Sequence, residues 1–242
     1  ETTLRANVLL PFCTPRTDPG HTVQRGALFH GPPGTAKSTL ARCIYEHAGL
    51  RPMEIRSAAS FASRYLGDTE EMLTTIFKGA HEHPDVPHVM IIEEIEALAE
   101  TRSSGPDAHH AKWLTHLFSE IDKTKNVLLL CTTNRRAALD PAFTRVGRVS
   151  VEIFCGKLNA EKATDLIHST FTKLGFAALI KEELDHELRE NQVLLTNLSG
   201  AQVRGLAENV LRGYQEQGLI VRQLTASDII NHLKGALHNL IG

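Results

Sequence analysis

Net charge is nearly absent from this 242-residue sequence: 26 lysines and arginines face 28 aspartates and glutamates, leaving −2. Binding to nucleic acid through its phosphates needs a concentrated basic surface, so the balance argues against a nucleic-acid partner. Long apolar runs are missing too. The longest, such as Val127 to Cys131, fall far short of the roughly 18 residues that cross a bilayer, so no membrane span is expected. The first residues carry no basic-then-apolar signal pattern. The chain opens on Glu1 without methionine and runs directly into Leu4-Arg5-Ala6-Asn7-Val8-Leu9-Leu10, which reads as a domain excised from a longer protein. Cysteine is sparse: Cys13, Cys43, Cys131 and Cys155 form no C-x-x-C pair, and Cys43 and Cys131 lie in apolar runs where a reduced thiol packs as a small hydrophobe. A reducing intracellular compartment, the cytoplasm, is the expected context. Aromatics make up 5% with one tryptophan, so there is no aromatic-rich basic patch on which bases would stack. No internal repeat, heptad run or low-complexity tract occurs.

What is present is an ordinary globular composition, 42% hydrophobic and 22% charged, in a chain long enough to bury a core. Short apolar runs alternate with helical patterns, the mark of a parallel sheet covered by helices. Strands are expected at Ala27 to His30, Glu54 to Arg56, Val89 to Ile92, Val127 to Cys131 and Val149 to Phe154. Helices are expected at Lys37 to Ala48, Thr69 to His83 and Ala108 to Ile121, with loops at Pro11 to Gly20 and Thr101 to Asp107. After Gly156 only helical spacing continues, in Ala160 to Leu174, Lys181 to Arg189, Gly200 to Gln215 and Ser227 to Leu240. Asn159, Ser199 and Ala226-Ser227 supply helix starts. The expected organisation is an α/β domain over residues 1–157 and a small helical domain over 158–242.

Gly31-Pro32-Pro33-Gly34-Thr35-Ala36-Lys37-Ser38 follows one of those strands and opens a helix, with Thr39 next. That context suits a phosphate-binding loop, whose backbone N–H groups and helix N-terminus hold phosphates. Lys37 would neutralise β/γ charge and Ser38 would hold magnesium. The usual glycine before the lysine is Ala36, which narrows the backbone's options and brings a methyl near the phosphates. Read alone, the segment is also a Gly/Pro turn before a helix.

Val89-Met90-Ile91-Ile92-Glu93-Glu94 is a buried-strand pattern ending in two carboxylates, at the sheet edge where ligands bind. Successive strand residues point to opposite sides, so Glu93 would face the metal's water shell and Glu94 the attacking water, as base. Glu93 stands where aspartate is usual and is one methylene longer, which could displace the ion and slow hydrolysis. The pair could instead begin a solvated helix through Glu96 and Glu100. A further strand pattern, Val127 to Thr133, ends in Asn134, placed to orient water beside a γ-phosphate.

Arg135-Arg136-Ala137-Ala138-Leu139-Asp140-Pro141-Ala142-Phe143-Thr144-Arg145-Val146-Gly147-Arg148 follows. With this stretch the chain resembles the AAA family of ATPases in its narrow sense, whose second region of homology is similar. The resemblance runs from Leu10-Pro11 almost to the end, and the segment from Leu117 to Ile153 looks most like the first ATPase ring of the NSF group. It implies a P-loop NTPase fold with a C-terminal helical lid, ATP or ADP with Mg2+ as cofactors, and a homo- or hetero-oligomeric ring, usually a hexamer. It further implies that Arg145 and Arg148 reach the γ-phosphate of the neighbouring subunit. Gly200-Ala201 resembles the family's Gly-Ala signature, where the lid meets nucleotide. The Ala36-Lys37-Ser38 ending is similar to that of minichromosome maintenance helicases and MoxR-type ATPases. Arg64-Tyr65-Leu66-Gly67 resembles the pore loop of protein-threading rings, in which Tyr65 and Leu66 would grip a polypeptide without reading its sequence. Tyr65 could instead be an ordinary, partly buried loop tyrosine.

Thirteen histidines, among them His81, His83, His88, His109, His110 and His116, lack the paired cysteines or H-E-x-x-H spacing of a zinc site. Trp113 falls at helical spacing with Leu117 and Ile121, as packing residues do. The expectation is therefore an ATP-hydrolysing ring subunit that remodels, unfolds or threads proteins, coupling γ-phosphate loss to motion of the lid. The rival, motivated by Ala36 and Glu93, is a hydrolytically weak nucleotide-binding subunit serving as scaffold or switch. A nucleic-acid motor ranks last, since it would favour a basic pore and an arginine in place of Gly200-Ala201. Adaptors and the particular substrate are outside what these residues encode.

Overall fold

Every residue from Val127 to Thr133 is buried, and so are Ala27, Leu28, Phe29 and the run from Val89 to Ile92. Strands hidden on both faces read as continuous apolar runs rather than as alternation, which is the condition of a parallel sheet covered on both sides. In the computed structural model, which describes residues 8–13, 25–59, 69–99, 108–141, 143–144, 149–173, 177–216 and 226–239, they form that sheet. Its strands are β1 (Gly26–His30), β2 (Arg51–Ser57), β3 (His88–Glu93), β4 (Val127–Thr133) and β5 (Val151–Phe154). Their order is β2-β3-β4-β1-β5 and every pairing is parallel. β1 thus lies between β4 and β5, and the expected α/β parallel sheet is present.

Two cores flank the sheet. On one face Leu73, Phe77, Leu117, Phe118 and Ile121 pack on Leu28, Met90, Ile92 and Leu129, and Trp113 joins them as a packing residue. On the other, Ala41 and Ile44 from helix Lys37–Ala48 meet Phe29, Val89, Ile91 and Leu130. Each such fully buried Leu, Ile or Phe contributes about 1.5–3 kcal/mol. Edge strand β5 alternates, with Val151 and Ile153 turned inward and Glu152 and Phe154 exposed.

The chain divides into two compact units, one comprising Glu1–Gly31 with Lys37–Cys155 and the other Pro32–Ala36 with Gly156–Gly242. The second is helical: Ala160–Lys173, Ala177–Glu190, Gln192–Leu195, Gly200–Glu216 and Ala226–Asn239. Ala163, Ile167 and Phe171 recur at four-residue spacing and pack with Leu184, Leu188, Val203, Leu206 and Leu233. Asn159 Oδ1 accepts the Lys162 N–H at 2.9 Å. Ser199 and Gln202 form a reciprocal capping box, Ser199 Oγ accepting from Gln202 N at 3.2 Å and Gln202 Oε1 from Ser199 N at 2.9 Å. The buried carboxylate of Glu187 receives Lys234 Nζ at 2.8 Å and Asn191 Nδ2 at 2.7 Å, tying the last helix to an earlier one.

Several boundaries differ from the sequence reading. β2 spans seven residues instead of three, with a register shift between Pro52 and Glu54. Among the described residues it pairs only with β3, and an edge strand tolerates the missing N–H of Pro52. β5 starts at Val151 rather than Val149, and Leu10–Cys13 is a helical turn where a loop was expected from Pro11. Residues 14–20 and 101–107 lie outside the described residues.

Candidate functional site

The carboxyl ends of β1, β3 and β4 carry the residues of interest. β1 ends at His30, and Gly31 then turns with φ +146°, a conformation that favours glycine. A Cβ there would overlap the Cys155 carbonyl oxygen, while the Cys155 N–H donates to His30 O at 2.7 Å. Gly34 has φ +74°, and a Cβ added to it would lie 2.9 Å from Ala201 Cβ and 3.1 Å from Ser199 Oγ. Its carbonyl accepts the Ala201 N–H at 3.0 Å, and Gly200 is buried beside it. Within the loop, Thr35 Oγ1 donates to Pro32 O at 2.9 Å, and Pro33 is exposed.

Ala36 takes φ +64°, the left-handed conformation for which the usual residue is glycine. A Cβ in that region costs roughly 1–2 kcal/mol, against about 0.5–1 kcal/mol of extra chain entropy that glycine loses on folding. Ala36→Gly is therefore expected to raise stability by about 0.5–1 kcal/mol, read as a higher urea midpoint at unchanged slope. A lower midpoint would mean that the alanine methyl makes a contact outweighing the strain.

Lys37 opens the helix Lys37–Ala48, where a cation opposes the positive end of the helix dipole. It is nevertheless only 7% exposed, and its Nζ donates to Gly31 O at 2.9 Å. Burial pulls its pKa down, opposed by the nearby Cys155 and Glu96. An ammonium kept dry at an unfavourable helix end is expected where an anion is to be met. Ser38 is half-buried and Thr39 exposed on the next positions.

Glu93 closes β3, and its Oε1 receives Arg42 Nη2 at 3.0 Å. Glu94 lies beyond the strand end with φ +55°, so a backbone turn, not strand alternation, sets its direction. Its N–H donates to Thr132 Oγ1 at 3.2 Å, and Ser57 Oγ lies 3.5 Å from its Oε2. The helix considered for this region is neither solvated nor begun by the pair: Glu93 ends the strand, and the one turn that follows, Glu96–Ala99, has Glu96, Leu98 and Ala99 buried. Asn134, exposed, follows β4 directly, and its N–H donates to Glu96 Oε1 at 3.2 Å. Tyr65, Leu66, Arg145 and Arg148 lie outside the described residues.

Three contributors escaped the sequence reading. Glu96 is 7% exposed and its second oxygen has no hydrogen-bond partner among the described residues. Its carboxylate links Asn134 to the neighbourhood of Lys37. The signal was faint, one acid in an acidic stretch. Arg42 is one exposed helix arginine among many, and Thr132 an unremarkable strand threonine. Two of the histidines serve the fold: His81 Nε2 meets the buried Glu120 at 3.0 Å, and His88 Nδ1 bonds Val86 O at 2.7 Å. Glu120 is held below the usual carboxylate range by Lys123 and His81 against its burial. Among the described residues no three His, Cys, Asp or Glu side chains gather as a metal site.

Two glycines that cannot carry a side chain, a left-handed turn and a buried ammonium fit a polyphosphate group. The Ser38 hydroxyl and the Glu93 carboxylate are hard oxygen donors of the kind magnesium takes, though one Glu93 oxygen already holds Arg42. Among the described residues no helix is long and apolar enough to cross a membrane.

Comparison with known proteins agrees with this geometry. The chain is 28% identical over 188 residues to the 26S proteasome regulatory subunit 8 homolog of Saccharomyces cerevisiae, covering 75% of this chain and 44% of the relative. It is 33% identical over 160 residues to the ATPase histone chaperone YTA7 of the same yeast, covering 62% and 12%. To the ATPase family gene 2 protein of Schizosaccharomyces pombe it is 31% identical over 219 residues, covering 88% and 25%. The chain therefore spans less than half the length of each of these relatives. The family described as "ATPase family associated with various cellular activities (AAA)" matches residues 27–157, from β1 through the loop, the paired glutamates and Asn134 to the end of the sheet. On that match over more than half its length, the chain belongs to the AAA ATPase family.

Proposed function

We propose that this chain is an ATP-binding and ATP-hydrolysing ring subunit that remodels or threads protein substrates. The observation that carries it is Lys37, an ammonium buried at a helix N-terminus immediately after a glycine-lined turn. In this reading residues Gly31 to Thr39 hold the nucleotide, with Gly200 and Ala201 beside Gly34. Ser38 and Glu93 hold magnesium, which when bound offsets phosphate charge. Glu94 takes the proton of the attacking water, Asn134 orients that water, and Arg145 and Arg148 act on the nucleotide of a neighbouring subunit in a hexameric ring. Tyr65 and Leu66 grip the substrate in the central pore. A polypeptide substrate is supported by the names of two relatives, a proteasome regulatory subunit and a histone chaperone. A reducing intracellular setting, the cytoplasm, suits the fully buried Cys131 thiol, whose pKa burial pushes far up.

A second reading, a hydrolytically weak scaffold or switch, is favoured by the ion pair at 3.0 Å between Arg42 and Glu93. A carboxylate that already has a cation offers magnesium less.

Titration calorimetry with ATP and with ADP, each with and without Mg2+, tests nucleotide binding. Saturable uptake of both nucleotides is expected, tighter for ATP when magnesium is present. No heat from either nucleotide on folded chain would sink both readings, and light scattering on the same sample reports whether nucleotide drives assembly.

A further inference from the structure

The turn that follows Asn134 has no core of its own. Arg136–Ala138 forms a single 3-10 turn in which no residue is buried, and Arg135 ahead of it makes no side-chain capping bond. Yet Arg136 is firmly engaged at the sheet's carboxyl edge. Its Nε donates to Glu152 Oε2 at 2.7 Å and its Nη2 to Glu152 Oε1 at 2.6 Å, a two-pronged pair, and Nη2 also lies 3.4 Å from Thr144 Oγ1. Glu152 sits on β5, while Arg136 follows β4, and β1 runs between those strands. The pair therefore bridges across the end of β1. There His30, the residue before Gly31, has its Nε2 3.9 Å from Glu152 Oε2 and its ring 5.5 Å from that of Phe154.

We infer that Arg136 and Glu152 form a strap that positions Asn134 relative to the strand feeding the phosphate loop, so that the γ-phosphate is registered by a fixed rather than a wandering amide. Strand pairing alone leaves this undone. The ladder hydrogen bonds of β4, β1 and β5 end at Thr133, His30 and Phe154, one residue short of Asn134 and three short of Arg136. The fork-on-carboxylate geometry fixes direction as well as distance, which a lysine or a single contact would not. Arg136 holds its proton more tightly and Glu152 is acidified, each chiefly through the other. Both side chains are one-third exposed, so the strap adds little to stability and its loss leaves the fold standing. Arg136 and Glu152 would act through Asn134 and not on the reacting groups; they are positioning residues.

This rests on the reading of Asn134 as the group that meets the γ-phosphate. The test compares the unmutated chain with Arg136→Ala, Glu152→Ala, both together, and the reversed pair Arg136→Glu with Glu152→Arg. Calorimetry gives the affinities for ATP and ADP, and phosphate release gives turnover. ADP affinity is expected to stay within about twofold in every variant, since the phosphate loop is untouched. The preference for ATP over ADP and the turnover should each fall about tenfold in either single variant, misplacement being costly to a poised site. The double variant should be no worse than the singles, and the reversed pair should return to within about threefold of the unmutated chain. A reversed pair as impaired as the singles, or singles with full ATP preference and turnover, overturns the strap. So does loss of ADP binding along with ATP, which would mean a purely structural role. An unmutated chain that binds both nucleotides equally and hydrolyses neither removes this inference while leaving nucleotide binding intact. One that binds neither sinks the proposed function itself.

Discussion

Glu94→Gln is expected to lower ATP turnover by about 100-fold or more while leaving the affinity for ATP within about threefold, as loss of a general base does. Glutamine keeps the length of the side chain and an acceptor oxygen toward Ser57, 3.5 Å away, but cannot take a proton at neutral pH. The backbone at 94 is already fixed from elsewhere, by its N–H on Thr132 Oγ1 and by Ile95 N on Thr132 O at 3.0 Å. The substitution should therefore change chemistry rather than placement. The left-handed φ of +55° at a non-glycine residue supports this choice of target. Such strain costs of order 1–3 kcal/mol and persists where the surroundings overdetermine it, most often at functional sites. Phosphate release under saturating ATP and Mg2+, beside calorimetric affinities, is the measurement. If the unmutated chain is as slow as Glu94→Gln, the scaffold reading replaces the motor, and the Arg42–Glu93 pair becomes its structural explanation. If both turn over briskly, Glu94 is not the base.

The sheet was legible because its strands are buried on both faces, which turns a three-dimensional condition into a local one: unbroken apolar runs at Val89 to Ile92 and Val127 to Cys131. The turn from β1 into helix Lys37–Ala48 was legible for a similar reason, since its glycines answer to backbone geometry within a few consecutive residues. β2 was read too short because Arg51-Pro52-Met53-Glu54 has neither an apolar run nor clean alternation, and only pairing with β3 makes it a strand. Glu94 was assigned a direction from strand alternation, yet the strand stops at Glu93 and a turn takes over. What the sequence hid were side-chain pairs between distant segments: Arg42 with Glu93, Asn134 with Glu96, and Arg136 with Glu152. An acid or a base shows its charge in a sequence, but whether it faces water or a partner 38 or 51 positions away is decided by the fold. Glu96 illustrates this best, since its neighbours suggested a solvated helix and packing buried it.

Lys37→Met separates the two jobs proposed for the Lys37 ammonium, holding phosphate and offsetting Glu96. Methionine keeps most of the stem that fills the buried position but has no charge, so the phosphates lose their strongest donor. Charge-assisted contacts to phosphate are worth roughly twice a neutral hydrogen bond, and the loss of about 2.7 kcal/mol corresponds to a 100-fold weaker nucleotide affinity. The same change removes the cation near Glu96, a carboxylate 7% exposed with one oxygen already lacking a hydrogen-bond partner among the described residues. Leaving that carboxylate without its neighbour is destabilising, but removing an ammonium desolvated at a helix N-terminus is stabilising, so the unfolding midpoint in urea should move little. Combining Lys37→Met with Glu96→Gln tests the division. Glutamine can still accept the Asn134 N–H at its present 3.2 Å while carrying no charge, so the double variant should be the more stable of the two. It should regain none of the lost nucleotide affinity, because no ammonium returns. Recovery of affinity in the double variant would mean that Lys37 serves chiefly to neutralise Glu96 and that the phosphates are held by the backbone amides of residues 31–38 alone.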